Sequence, residues 1–199
     1  MDGGIYKMKD LIRKYHSSQF RNDREIYSIP KIPYTDHLQG VKSVLLSSLS
    51  QIGECDDEQL IEDMCNAALG HDLLEDTEVT EKEILDTTNE RVLNMIKELT
   101  NPVDDSHTEQ YMEQLKNASE EARLIKYADL IENTSSVAYN YYMLGEEWVS
   151  SFYYPILQAT QSMLSETVFN SYPKTADFMR GVLSIYADLL KTKRSINKG

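Results

Sequence analysis

Apolar residues in this chain recur at steps of three and four, and strict apolar–polar alternation never lasts more than a few residues. The first spacing lines one face of an α-helix; the second is what a half-buried strand requires. An all-α fold follows. Val41, Val44, Leu45 and Leu49 step along one face after His37, and Leu60, Ile61, Met64, Ala67 and Ala68 do the same before His71. Ile84 opens a short helix, Val92, Leu93, Ile96 and Leu99 mark the next, and Leu124, Ile125, Ala128 and Ile131 carry one through the 120s.

Helix-start chemistry agrees with this division. Thr80-Glu81-Lys82-Glu83 and Ser106-His107-Thr108-Glu109 both fit a capping box, in which a hydroxyl cap is answered by Glu three residues on. Two longer segments, roughly 146–167 and 174–193, are separated by Ser171-Tyr172-Pro173, and Pro155 should kink or restart the first of them. Residues 20–36, with Pro30 and Pro33 and no sustained period, read as a loop. No internal repeat or flexible linker interrupts the pattern, so residues 1–199 read as one helical domain.

Charge narrows the function. The 199 residues carry 20 Lys+Arg against 33 Asp+Glu, a formal net charge of −13. Most of such a surface repels phosphate backbones, which argues against nucleic-acid binding. A local cluster of cations can still hold a small anionic substrate. No window approaches the roughly 18 uncharged apolar residues of a membrane span, and Met1-Asp2-Gly3-Gly4 does not open a signal-peptide pattern. Cys55 and Cys65 are too few for a disulfide framework and read as reduced thiols of a cytoplasmic protein.

Chemistry concentrates in two segments. In the helical run Ala67–Asp76, Glu75 stands one turn beyond His71 and Asp76 one turn beyond Asp72. In the second segment Lys126, Asp129 and Asn133 lie on one helical stripe among Ile125, Ala128 and Ile131, so Asp129 sits at the border of the core and needs a cation or hydrogen bonds. His37, His71, Asp72 and Asp129 together would make a two-His, two-Asp set suited to a divalent transition metal with open positions. A water on such a metal can ionise near neutral pH, leaving Glu75 and Asp76 to manage protons or orient it. Taken one at a time, these residues also fit plainer roles: His37 in the first turn of its helix, Glu75-Asp76 as a solvated helix end, Lys126–Asp129 as an ordinary ion pair.

The order His…His-Asp…Asp resembles the signature of the HD phosphohydrolase superfamily. The local sequences are similar to the hydrolase domain of the RelA/SpoT alarmone enzymes and their small single-domain homologues. His16, Gln19 and Arg21 match a His-x-x-Gln-x-Arg element; Pro33, Tyr34 and His37 match Pro-Tyr-x-x-His. His71, Asp72, Glu75, Asp76 and Thr77 match His-Asp-x-x-Glu-Asp-Thr, and Lys126, Ala128, Asp129 and Asn133 match Lys-x-Ala-Asp-x-x-x-Asn. The resemblance implies an all-helical HD bundle that holds one metal, usually manganese, on His37, His71, Asp72 and Asp129. It implies a small-molecule nucleotide substrate, guanosine tetra- or pentaphosphate, hydrolysed to GDP or GTP and pyrophosphate. Glu75 and Asp76 would be the catalytic pair, and Arg21, Lys126 and Asn133 would line the nucleotide site, with Arg21 and Lys126 as phosphate contacts. With no room for synthetase and regulatory domains, the expected activity runs in the hydrolytic direction only.

The chain departs from the pattern in places. A longer stretch, Asn22 to Ile32, replaces a short glycine-containing turn, so either Arg21 or Arg24 fills the phosphate-contact position. Leu38 follows His37 in place of proline, Gly70 precedes His71 in place of a large apolar residue, which would loosen packing there, and Leu130 follows Asp129 in place of a basic residue. These departures bear on the substrate more than on the metal set. Two other readings remain: an HD phosphohydrolase for another nucleotide, and a catalytically idle HD module that senses a nucleotide. Thirteen tyrosines, several in Tyr139-Asn140-Tyr141-Tyr142 and Phe152-Tyr153-Tyr154, read as packing residues.

Overall fold

A computed structural model describes residues 3–21, 31–101 and 108–196. Helices α1 (Gly3–Tyr15), α2 (Tyr34–Ile52), α3 (Glu58–Gly70), α4 (Leu73–Asp76), α5 (Glu81–Thr87), α6 (Glu90–Leu99), α7 (Thr108–Asn117) and α8 (Glu120–Tyr139) follow one another. The short α9 (Tyr141–Leu144) and α10 (Glu146–Trp148), a π-helical turn (Val149–Tyr153), α11 (Tyr154–Glu166) and α12 (Pro173–Ile196) complete the chain. Among the described residues the β-structure is one antiparallel bridge, Phe20 to Pro33. The all-α expectation is correct.

Side chains set the helix ends where the sequence marks them. Asp57 caps α3 by accepting from the Leu60 N–H, Asn89 caps α6 through Val92, and Ser119 caps α8 through Ala122. Thr80 and Glu83 form the expected capping box on α5; Ser106, the cap of the other expected box, lies outside the described residues. Gly53 closes α2 at φ 70°, a left-handed conformation that favours glycine, and returns its N–H to Leu49 O. Glu54 then receives the Lys174 and Thr175 N–H groups and the Thr175 hydroxyl, fastening the start of α12 to the end of α2.

The central layer is α8, with α2, α6 and α12 packed against it and α3 between α2 and α6. A connected apolar core runs from Met8 and Ile12 through Leu38, Leu69, Ile96 and Tyr127 to Leu183 and Leu190. Burial of this kind stabilises by about 25 cal/mol per Å² of apolar surface, and it holds α2, α3 and α8 side by side.

Four expectations change. First, α1 is a helix that the apolar spacing alone does not single out; Met8 and Ile12 anchor it fully buried against α3. Second, the predicted loop 20–36 ends early, because Pro33 caps α2 and Tyr34 begins it. The bridge residues align Arg21, whose N–H reaches Ile32 O, while residues 22–30 lie outside the described set. Third, the run Ala67–Asp76 is not one helix: α3 ends at Gly70, and Asp72, at φ −96° and ψ −1°, turns the chain before α4. Asp76 N–H still bonds Asp72 O at 2.9 Å, so the one-turn relation between those two residues survives. Fourth, packing at Gly70 is close instead of loose. A Cβ there would lie 2.9 Å from Ile96 Cδ1 and 3.2 Å from Met8 Cε, so the missing side chain lets α1 and α6 close on the end of α3.

Candidate metal and nucleotide site

His37 enters from the first turn of α2, His71 and Asp72 from the break between α3 and α4, and Asp129 from the middle of α8. Three elements that the core holds together thus deliver four donor groups to one place. His37 Nε2 lies 3.6 Å from Asp72 Oδ2 and 3.4 Å from Asp129 Oδ1; His71 Nε2 lies 3.1 Å and 3.7 Å from the same two atoms. His37, His71 and Asp129 are buried and Asp72 is half-buried.

Each ring has its other nitrogen occupied. His71 Nδ1 stands 2.9 Å from Ala68 O, a carbonyl that can only accept, so Nδ1 carries the proton. His37 Nδ1 is likewise held by the Glu132 carboxylate. In a neutral ring Nε2 is then a lone pair aimed at carboxylate oxygens. Acceptors facing acceptors require a proton or a metal cation between them, and His71 Nε2 is a buried atom with no hydrogen-bond partner. Ligands held about 2.1 Å from a cation sit about 3 to 3.5 Å from one another, close to the separations seen here. His37, His71 and Asp72 form a three-donor group able to hold a metal ion. The residues fit a divalent metal.

The electrostatics agree. Burial disfavours the charged His71 ring, but the Asp72 and Asp129 carboxylates outweigh it and hold the ring well above its ordinary pKa. Burial also opposes charge on Asp129, where Lys126 and the two rings prevail and keep the carboxyl well below the usual range. Both shifts favour a proton on the rings, so a metal would bind here in competition with protons. A frame of polar groups fixes the carboxylates: Lys126 Nζ donates to Asp129 Oδ2 (2.9 Å), Asn133 Nδ2 to Asp129 Oδ1 (2.6 Å), and the Tyr34 hydroxyl to Asp72 Oδ2 (2.7 Å).

A cleft of about 290 Å³ opens over this cluster, lined among others by His71, Asp72, Glu75, Lys126, Asp129 and Asn133. Glu75, an exposed residue at its edge, accepts the Asn101 N–H at 2.9 Å. Reduced hydration raises its pKa, opposed by that N–H and reinforced by Asp72. Asp76 is shifted the same way by burial and Asp72, but it is not among the residues lining the cleft. Arg21 borders an adjoining cavity of about 130 Å³ that shares Asn133 and Tyr153 with the cleft. Its Nη2 donates to Glu132 Oε2 (2.6 Å) and Asn133 Oδ1 (2.7 Å). Every site residue expected from the sequence therefore lies in or beside the cluster; Arg24 is outside the described residues.

The sequence reading missed two groups. Glu132 touches both His37 and Arg21, and its signal was its place one turn after Asp129 on the same helix. Phe152 and Tyr153, read as packing residues, wall the cleft. They hang from the π-helical turn just before Pro155, a distortion that often marks functional positions. Of the tyrosines read as core and surface packing, Tyr141 is buried and Tyr139 and Tyr142 are exposed.

The chain is 33% identical over 132 residues to guanosine-3′,5′-bis(diphosphate) 3′-pyrophosphohydrolase MESH1 of Xenopus tropicalis, covering 65% of this chain and 66% of that protein. Among solved structures it matches one described as a metazoan ortholog of SpoT that hydrolyses ppGpp, with a TM-score of 0.69 at 20% identity over 98% of this chain and 97% of that one. The chain is similar to the HD-domain phosphohydrolases in sequence and in fold. Its bundle is the HD type, and its His…His-Asp…Asp order is realised as one cluster on three elements of that bundle. The HD alignment spans about two thirds of the curated relative's length. No family model matches the chain. Among the described residues no helix is long and apolar enough to cross a membrane, and both cysteines are free thiols.

Proposed function

We propose that this HD-domain chain hydrolyses the 3′-diphosphate of guanosine tetra- or pentaphosphate, releasing pyrophosphate and leaving GDP or GTP. The convergence of His37, His71, Asp72 and Asp129 on the floor of a cleft edged by Glu75 carries this reading. The name of the Xenopus relative supplies the substrate. We assign the four residues as ligands of one divalent metal, manganese by family resemblance. When bound, such an ion supplies Lewis acidity to a phosphoryl oxygen and to the attacking water.

The protein's own groups do the rest. Tyr34 and Asn133 hold the Asp72 and Asp129 carboxylates in place. Glu75, with its raised pKa and a position at the cleft edge, takes the proton released from water; Asp76 supports it electrostatically from the same short helix. Lys126 Nζ, beside Asp129, and the Arg21 guanidinium, beside Asn133, supply positive charge against an otherwise acidic surface. The adjoining cavity, walled by Ile32, Met143, Leu144 and Trp148 and carrying Asn133, Ser136 and Asn140, offers an apolar face and polar edges to a nucleobase. Two reduced cysteines and the HD unit over residues 1–199 complete the picture of a cytoplasmic enzyme.

One observation favours a second reading. Arg21 is already paired with Glu132, and carboxylates outnumber cations around the cleft, which would suit a nucleotide with fewer phosphates. Incubation of the purified chain and manganese with guanosine tetraphosphate and a panel of less phosphorylated nucleotides, followed by ion-exchange separation of products, decides between them. Stoichiometric GDP and pyrophosphate support the proposal. Turnover of another nucleotide with guanosine tetraphosphate left intact refutes it.

A further inference from the structure

Glu132 takes no part in the proposed ligand set, yet a single oxygen, Oε2, receives both His37 Nδ1 (2.5 Å) and Arg21 Nη2 (2.6 Å). The residue lies on α8 and reaches across to α2. Its path is open because position 40 is glycine: a Cβ on Gly40 would stand 2.9 Å from Glu132 Cγ and 3.4 Å from Oε1. Gly40 is one turn after His37 in the interior of α2, where helix propensity disfavours glycine. The ring, the carboxylate and the gap beside it are therefore matched across two helices.

We infer that Glu132 is a positioning residue that keeps the proton on His37 Nδ1 and turns Nε2 toward Asp72 and Asp129, with Gly40 as the space that seats it. A carboxylate can only accept from Nδ1, so it selects the tautomer whose Nε2 is a lone pair, and it fixes the ring plane at the same time. Arg21 donates to the same oxygen, which keeps Oε2 from turning away. The inference rests on the proposed metal site for its consequence and on the contacts of Glu132 for its geometry.

Nitrogen-15 NMR of the histidine side chains, in metal-free protein above the pH at which His37 titrates, reads the tautomer directly. The native protein should show His37 protonated at Nδ1. Glu132→Ala should lose that preference and bind manganese 10- to 100-fold more weakly, the usual effect of removing a group that orients a ligating histidine. Glu132→Gln, whose amide oxygen accepts in the same place, should restore the tautomer and most of the affinity. Gly40→Ala, which alters no polar group, should weaken manganese binding by crowding Glu132. Retention of the Nδ1 tautomer in Glu132→Ala overturns the inference, as does unchanged manganese affinity in that variant when the native protein binds. If the native protein binds no manganese, the metal assignment falls and the tautomer comparison alone decides the role of Glu132.

Discussion

Replacing Asp129 by alanine gives a stability effect that the structure sizes in advance. The carboxylate receives Lys126 Nζ at 2.9 Å, with side-chain exposures of 7% for Asp129 and 18% for Lys126. Removing one partner of a buried pair leaves the other charge uncompensated and costs about 3–5 kcal/mol. Residual exposure of Lys126 places the expectation near the low end, about 3 kcal/mol. Relief of repulsion with Asp72 works the other way, but His37 and His71 lie against both carboxylates and already offset that repulsion. For a chain of this size 1 kcal/mol moves Tm by about 2–4 °C, so metal-free Asp129→Ala should melt roughly 6–12 °C lower. Lys126→Met in the same background removes the orphaned ammonium, and the double variant should regain about 2 kcal/mol relative to the sum of the single changes. The assay is thermal unfolding in chelator of the native protein, both single variants and the double. A coupling energy near zero, or a shift under about 1 °C for Asp129→Ala, would refute the reasoning.

Further expectations follow from other parts of the site and fold. Glu75→Gln should leave manganese binding intact while lowering turnover by about 10²- to 10⁴-fold, the usual contribution of a positioned proton acceptor; calorimetry and a rate assay on the same preparation separate the two effects. Glu83 is held down to about 2 by hydrogen bonds from the Tyr15 hydroxyl, the Thr80 N–H and Lys14. With a folded pKa below the ordinary carboxylate value, it stabilises the fold above about pH 4.5 and loses that contribution as pH falls toward 2. The stability gap between native and Glu83→Gln protein should close across that window in acid unfolding, and a constant gap would contradict the assignment. Gly53→Ala forces a side chain into φ 70° and should cost about 1–2 kcal/mol by denaturant unfolding, with no change in manganese affinity.

How much of this was legible in the sequence depends on the range of the contact. Lys126, Asp129 and Asn133 share a helical stripe, so their convergence follows from local spacing, and the structure joins them by direct hydrogen bonds. The Thr80–Glu83 box is equally local and appears as expected. The break at His71-Asp72 was hidden because apolar residues on both sides, Leu69 and Leu73, keep a nearly helical period through the turn. Helix α1 carries Ile5, Met8 and Ile12 at helical steps, but lysines and an arginine crowd them in a short segment, and tertiary packing on α3 decides its structure. Glu132 and Gly40 were invisible for a different reason. Their relation spans 92 positions and exists only once α2 and α8 lie side by side, so no window of sequence contains it.

The proposed function stands on metal-dependent removal of pyrophosphate at the cluster of His37, His71, Asp72 and Asp129. Titrating manganese into chelator-stripped protein, while following pyrophosphate release from guanosine tetraphosphate, measures this directly. The rate should be negligible without metal and rise to a plateau at one manganese per chain. Full turnover in the presence of chelator would contradict it.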